Sequence, residues 1–88
     1  MKVVRRYELP GWDEFFFVVP KGSTILRIKN LHHRPFLYVK VDPAAPTVKR
    51  KFKVSMSRDN PPEYSLYVGP IPWSAHEGHL FTDEKEYV

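Results

Sequence analysis

Eighty-eight residues without a cysteine make one small domain that uses neither disulfides nor Cys-based zinc sites. Its 42% hydrophobic and 15% aromatic content is too high for a disordered tail. No apolar run approaches the roughly 18 residues of a membrane-spanning helix, and no signal-like segment follows Met1. The expected setting is therefore soluble and cytoplasmic, with no membrane partner. A chain this short buries only about 60–65% of its unfolded surface, so self-association would help it, and a homo-oligomer is expected.

The net charge of +4 hides an asymmetry. Residues 1–58 hold 13 Lys/Arg against four acids, a net +9, whereas residues 59–88 hold six acids against Lys85, a net −5. A basic body with an acidic C-terminal section attracts anions on one side, pairs head to tail with a neighbouring subunit, or simply presents two solvated faces.

Nine prolines and four glycines divide the chain into short intervals rich in β-branched and aromatic residues, with no sustained helical period. Seven strands are expected, which predicts an all-β antiparallel sandwich or partly open barrel. The first spans residues 2–9 and closes at Pro10-Gly11. The second, residues 15–19, is a continuous apolar run suited to burial on both faces. Pro20-Lys21-Gly22 suits a type I turn. Strands at residues 24–31 and 36–42 flank the connection His32-His33-Arg34-Pro35 and should form a hairpin. The Asp42-Pro43 turn leads to a strand at 48–56, then a polar loop at 57–62. Strand six is expected at 63–68, with Tyr64, Leu66 and Val68 on one parity. Pro70 and Pro72 break the chain before a last strand at 79–82, and Ser74 to Gly78 has room for one helical turn.

Side chains alternate across a strand, so each parity defines a face. Leu26/Ile28, Leu37/Val39/Val41, Phe52/Val54 and Tyr64/Leu66/Val68 form the expected core. The opposite parity then carries Arg27, Lys29, Phe36, Tyr38, Lys40, Lys49, Lys51, Lys53, Glu63, Ser65 and Tyr67. If neighbouring strands pair in sequence order, these residues make one basic surface interleaved with rings.

The order Pro20-Lys21-Gly22, Val41-Asp42-Pro43-x-x-Pro46-Thr47-x-Lys49-Arg50-x-Phe52, Tyr67-Val68-Gly69 and His79-Leu80-Phe81 resembles a family of small uncharacterised phage and prophage proteins. That family carries a domain of unknown function. The resemblance covers about residues 7–84. It departs at Pro70, where the family often has threonine, and at Thr82, where it often has glutamate. It implies a phage setting, inside the host cell, and supplies no catalytic residues.

Phosphates need point charges or planar forks, and Lys49, Lys51, Lys53 and Arg27 provide them. Nucleobases need flat apolar platforms, which Phe36, Tyr38, Tyr67 and Trp73 provide. The plainer reading of the lysines is a solvated strand face. His32-His33 and His76-x-x-His79 read as ordinary loop histidines, and no metal or other cofactor is expected. No cysteine nucleophile, G-x-S-x-G element or glycine-rich phosphate loop is present, so the expectation is a non-catalytic protein. The expected partner is an anion: a nucleotide-type immune signal held by a counter-defence sponge, or else single-stranded nucleic acid. An inhibitor that binds a host protein is a further alternative.

Overall fold

A computed structural model describes residues 1–11, 14–56, 64, 66–72 and 77–88. Trp73, the loop at 57–62 and most of the 74–78 segment lie outside the described residues. Seven strands form: β1 (Val3–Glu8), β2 (Glu14–Pro20), β3 (Thr24–Leu31), β4 (Arg34–Val41), β5 (Thr47–Ser55), β6 (Leu66–Pro72) and β7 (Glu77–Thr82). They make two antiparallel sheets, ordered β1-β4-β3 and β2-β5-β7-β6. The sheets pack as an open sandwich and do not close into a barrel. Among the described residues no helix is long and apolar enough to cross a membrane.

Between the sheets lies one core built from Leu9, Phe15, Leu37, Val39, Val41, Phe52, Val54, Ile71 and Leu80. Phe15 stacks on Phe52 at 5.7 Å, and Phe17 leans on both Phe52 and Tyr7. Each fully buried aliphatic or aromatic side chain here contributes about 1.5–3 kcal/mol. The alternation seen in β4 and β5 therefore selects the inward face as expected.

Pairing in sequence order holds for β3 with β4 and for β6 with β7, and fails between β4 and β5. The Asp42 turn, closed by Ala44 N donating to Asp42 Oδ1 at 3.0 Å, carries the chain from the first sheet to the second. There β5 lies between β2 and β7, so β4 and β5 are not neighbours. The expected sandwich forms, but the condition that would join the outward rows of β4 and β5 into one surface is not met.

Two bulges also correct the expected parity. The β3–β4 register shifts between Ile25 and Arg27, which places Ile25 and Ile28 against the core and leaves Leu26 42% exposed. A second shift lies between Tyr67 and Gly69 and turns Ile71, beyond it, into the core, while Val68 packs against the core and Leu66, before the shift, is 39% exposed. A bulge inserts one residue and reverses the face of everything beyond it. Pro70 and Pro72 do not end the strand: β6 is an edge strand, where a missing ladder N–H is tolerated.

The β3–β4 connection is two residues long, not four, because Arg34 and Pro35 already pair with Leu31 and Asn30. His32 and His33 both adopt positive φ, 52° and 66°. That is the requirement of a type I′ hairpin turn, a place usually filled by Asn-Gly. The preceding turn centres on Lys21 and Gly22, with Gly22 at φ 78°, one residue later than a proline-led type I turn.

Leu26→Asn should change stability by less than about 0.5 kcal/mol, while Leu37→Ala should cost about 2–5 kcal/mol in urea unfolding. Comparable losses at the two positions would contradict the bulge.

Candidate nucleic-acid interface

The outer face of the first sheet follows from the burial of the inner one. With Leu37, Val39 and Val41 buried, Phe36, Tyr38 and Lys40 of the central strand β4 must point outward. The registers place Arg6 of β1 and Arg27 of β3 on either side of Tyr38. Phe36 lies between Glu8 and Lys29, and Lys40 between Val4 and Thr24. The Arg27 guanidinium sits over the Tyr38 ring at 5.4 Å, and that of Arg6 over the Phe36 ring at 5.5 Å. Both distances are within the roughly 6 Å range of cation–π attraction. Each pair joins an apolar plane to a fork of phosphate donors.

At the turn end of the same face is a surface hollow of about 330 Å³, lined by Arg6, Leu31, His32, Arg34 and Phe36. Arg34 Nε lies 3.4 Å from Glu8 Oε2. Among the described residues Glu8 is the one acid on this face, and it anchors Arg34 at the rim.

The expected site residues divide between two surfaces. Arg27 and Tyr38 come together on the first sheet. Lys49, Lys51 and Lys53 point outward from β5 in the second sheet, on the opposite side of the sandwich, because β4 and β5 belong to different sheets. Tyr67 also lies on the second sheet. Its hydroxyl meets His79 Nδ1 at 2.9 Å and its ring packs 5.3 Å from Phe81. His79 and Phe81 are buried, so Tyr67 covers a small outer core there. Trp73 lies outside the described residues.

Lys51 of the lysine ladder has an acid partner. Lys51 Nζ stands 3.7 Å from Glu14 Oε1 and 5.7 Å from the Tyr64 ring. The C-terminal segment returns beside β5, where Lys49 and Tyr87 exchange backbone hydrogen bonds of 2.6 and 2.8 Å. Gly22 N donates to Glu86 Oε2 at 2.8 Å, and the Tyr87 hydroxyl donates to Asp83 Oδ2 at 2.7 Å. The last bond pushes the Tyr87 phenol above its ordinary value, since it favours the protonated form. Arg50 falls on the buried parity of β5, and its Nη2 donates to the Asp83 carbonyl at 3.3 Å, tying the same segment down.

Sequence reasoning missed Arg6, Arg34 and His32. Arg6 joins the site only because β1 pairs with β4, a partner three strands away in sequence. The available signal was the parity of Val3 and Tyr7, which turns Arg6 to the other face.

The molecule is thus an all-β sandwich with one basic, ring-bearing sheet face open to solvent. The family described as a domain of unknown function (DUF7352) matches residues 1–88, and the chain belongs to it. No curated protein and no solved structure matches the chain.

Glu14 offers a test of the second sheet. The Tyr64 hydroxyl donates to Glu14 Oε2 at 2.7 Å and holds its carboxyl below the ordinary 4.5, with Lys51 and Lys53 acting in the same direction against burial. A lowered folded-state value gives stability that is present above 4.5 and lost as pH falls through the folded value. The stability gap between wild type and Tyr64→Phe, measured in urea, should therefore narrow between pH 7 and pH 3. A gap constant over that window would show that the Tyr64 hydroxyl does not act through Glu14.

Proposed function

We propose that this protein is a non-catalytic binder of single-stranded nucleic acid that uses the outer face of the first sheet. The observation that carries the reading is Tyr38, centred on the middle strand between Arg6 and Arg27, with Phe36 beside it under Arg6. Phe36 and Tyr38 are two residues apart on one strand, about 7 Å along it. Successive unstacked bases of an extended strand can lie on such a row of rings and guanidinium planes. Arg6, Arg27, Lys29 and Lys40 border the row and supply contacts to the intervening phosphates.

Openness favours a strand over a free nucleotide. A sponge for a nucleotide immune signal needs a site that encloses its ligand, whereas the Tyr38 row lies on an open sheet surface with a hollow only at its turn end. The pairing of Lys51 with Glu14 makes the opposite face the weaker candidate. The resemblance to small phage and prophage proteins supports a phage-encoded protein acting in the host cytoplasm. Exposed Val3 and Val4 on edge strand β1, with Phe16 and Val18 on edge strand β2, support self-association.

The test compares two variants with equal loss of charge. Arg6→Gln with Arg27→Gln should weaken binding of a thymidine oligonucleotide and reduce the salt slope of log affinity by about 1.4, at about 0.7 per phosphate contact. Lys49→Gln with Lys53→Gln should change both far less. Tyr38→Ala should cost about 1–3 kcal/mol of binding while circular dichroism shows the fold retained. Equal losses in the arginine and lysine variants would overturn the assignment to this face.

A further inference from the structure

The row of rings on β4 does not run off the sheet at its turn end. It runs from Tyr38 to Phe36 and then into the hollow of about 330 Å³, whose walls are Arg6, Leu31, His32, Arg34 and Phe36. Phe36 belongs to both the open face and the hollow. That volume is at the lower end of the roughly 300–1,000 Å³ range of small-ligand sites, large enough for one nucleotide unit. The wall chemistry matches the parts of such a unit: Phe36 and Leu31 are apolar, and two guanidiniums and an imidazole supply donors.

The donors suit a phosphomonoester better than a phosphodiester. A terminal phosphate carries about −1.5 to −2 charges near pH 7 and three acceptor oxygens. An internal diester carries one charge and offers two such oxygens. Two guanidiniums converging on one hollow are more than a single diester requires. Glu8 approaches Arg34 at Nε. Among the described residues Arg6 forms no ion pair with a carboxylate.

The turn at the rim supplies a second, independent observation. His32 and His33 both stand at positive φ in a two-residue hairpin connection. Glycine and asparagine adopt that geometry at lower cost, and Asn-Gly is the usual solution. Two histidines in succession are a poor choice for stability alone. Backbone kept in a costly conformation is concentrated at binding and catalytic sites. His32 lines the hollow.

We infer that the hollow formed by Arg6, Leu31, His32, Arg34 and Phe36 is an end-recognition site that takes the terminal phosphorylated nucleotide of a single strand. The inference rests on the strand-binding reading of the adjoining face. The same chemistry accepts a free nucleoside monophosphate, and the two sources are separable by experiment.

The test titrates wild type with three short thymidine oligonucleotides: 5′-phosphorylated, 3′-phosphorylated and without a terminal phosphate. Fluorescence anisotropy reads the affinities, and calorimetry follows thymidine 5′-monophosphate alone. Wild type should bind one phosphorylated oligonucleotide at least tenfold more tightly than the unphosphorylated one. The double variant His32→Asn, His33→Gly should bring that ratio close to one and raise the melting temperature. Equal affinities for all three oligonucleotides would overturn the inference, as would a ratio that survives in the double variant. A lower melting temperature in that variant would remove the argument from the turn. Binding of the monophosphate without binding of any oligonucleotide would overturn the strand reading and keep the hollow as a free-nucleotide site. No binding of any probe would overturn both.

Discussion

Burial of one parity of β4 is the constraint on which the rest depends. Leu37, Val39 and Val41 are essentially inaccessible to solvent and share a core with Phe52 and Leu80 of the facing sheet. A slip of one residue would exchange all three for Phe36, Tyr38 and Lys40, burying a lysine and exposing the core. The outward display of two rings and a lysine therefore comes with the packing. β4 is central in its sheet, so its outward residues are flanked on both sides, and both flanking strands contribute arginine. Core packing and site geometry are two consequences of one register.

The second sheet uses its charges differently. Its lysines stand among acids drawn from β2 and the C-terminal segment, including Glu14. Exposed pairs of this kind contribute about 0–1 kcal/mol to stability, so their main effect is on the local field. On the outward rows of the first sheet, among the described residues, Glu8 is the only acid beside Arg6, Arg27, Lys29 and Lys40. The acidic C-terminal section lies instead against the second sheet, where its Tyr87 continues the ladder along β5 beyond Thr82.

Much of this was legible in the chain. Alternation in β4 and β5 is strict, so those strands and their faces follow from period-two reasoning. The adjacent β3–β4 pair follows from the short connection between two apolar runs. Three features were not legible, each for a physical reason. Sheet membership of β5 depends on the direction in which the Asp42 turn sends the chain, a tertiary choice that leaves no mark on local alternation. The bulge at Leu26 shifts parity by one residue with no glycine or proline inside β3 to announce it, and at Val68 the following Gly69-Pro70 reads as the end of a strand instead of a bulge within one. The His32-His33 turn carries neither asparagine nor glycine, so a two-residue connection looked like four. The same departure from common turn chemistry marks the end of the candidate site.

The central claim is that the ring-bearing face of the first sheet is the binding surface. Amide chemical shifts of the labelled protein, followed as an unphosphorylated thymidine oligonucleotide is added, test it most directly. The account predicts that the largest shifts fall on Arg6, Arg27, Phe36, Tyr38 and their neighbours in β1, β3 and β4. Shifts concentrated instead on Lys49, Lys51, Lys53 and the segment around Tyr87 would contradict it.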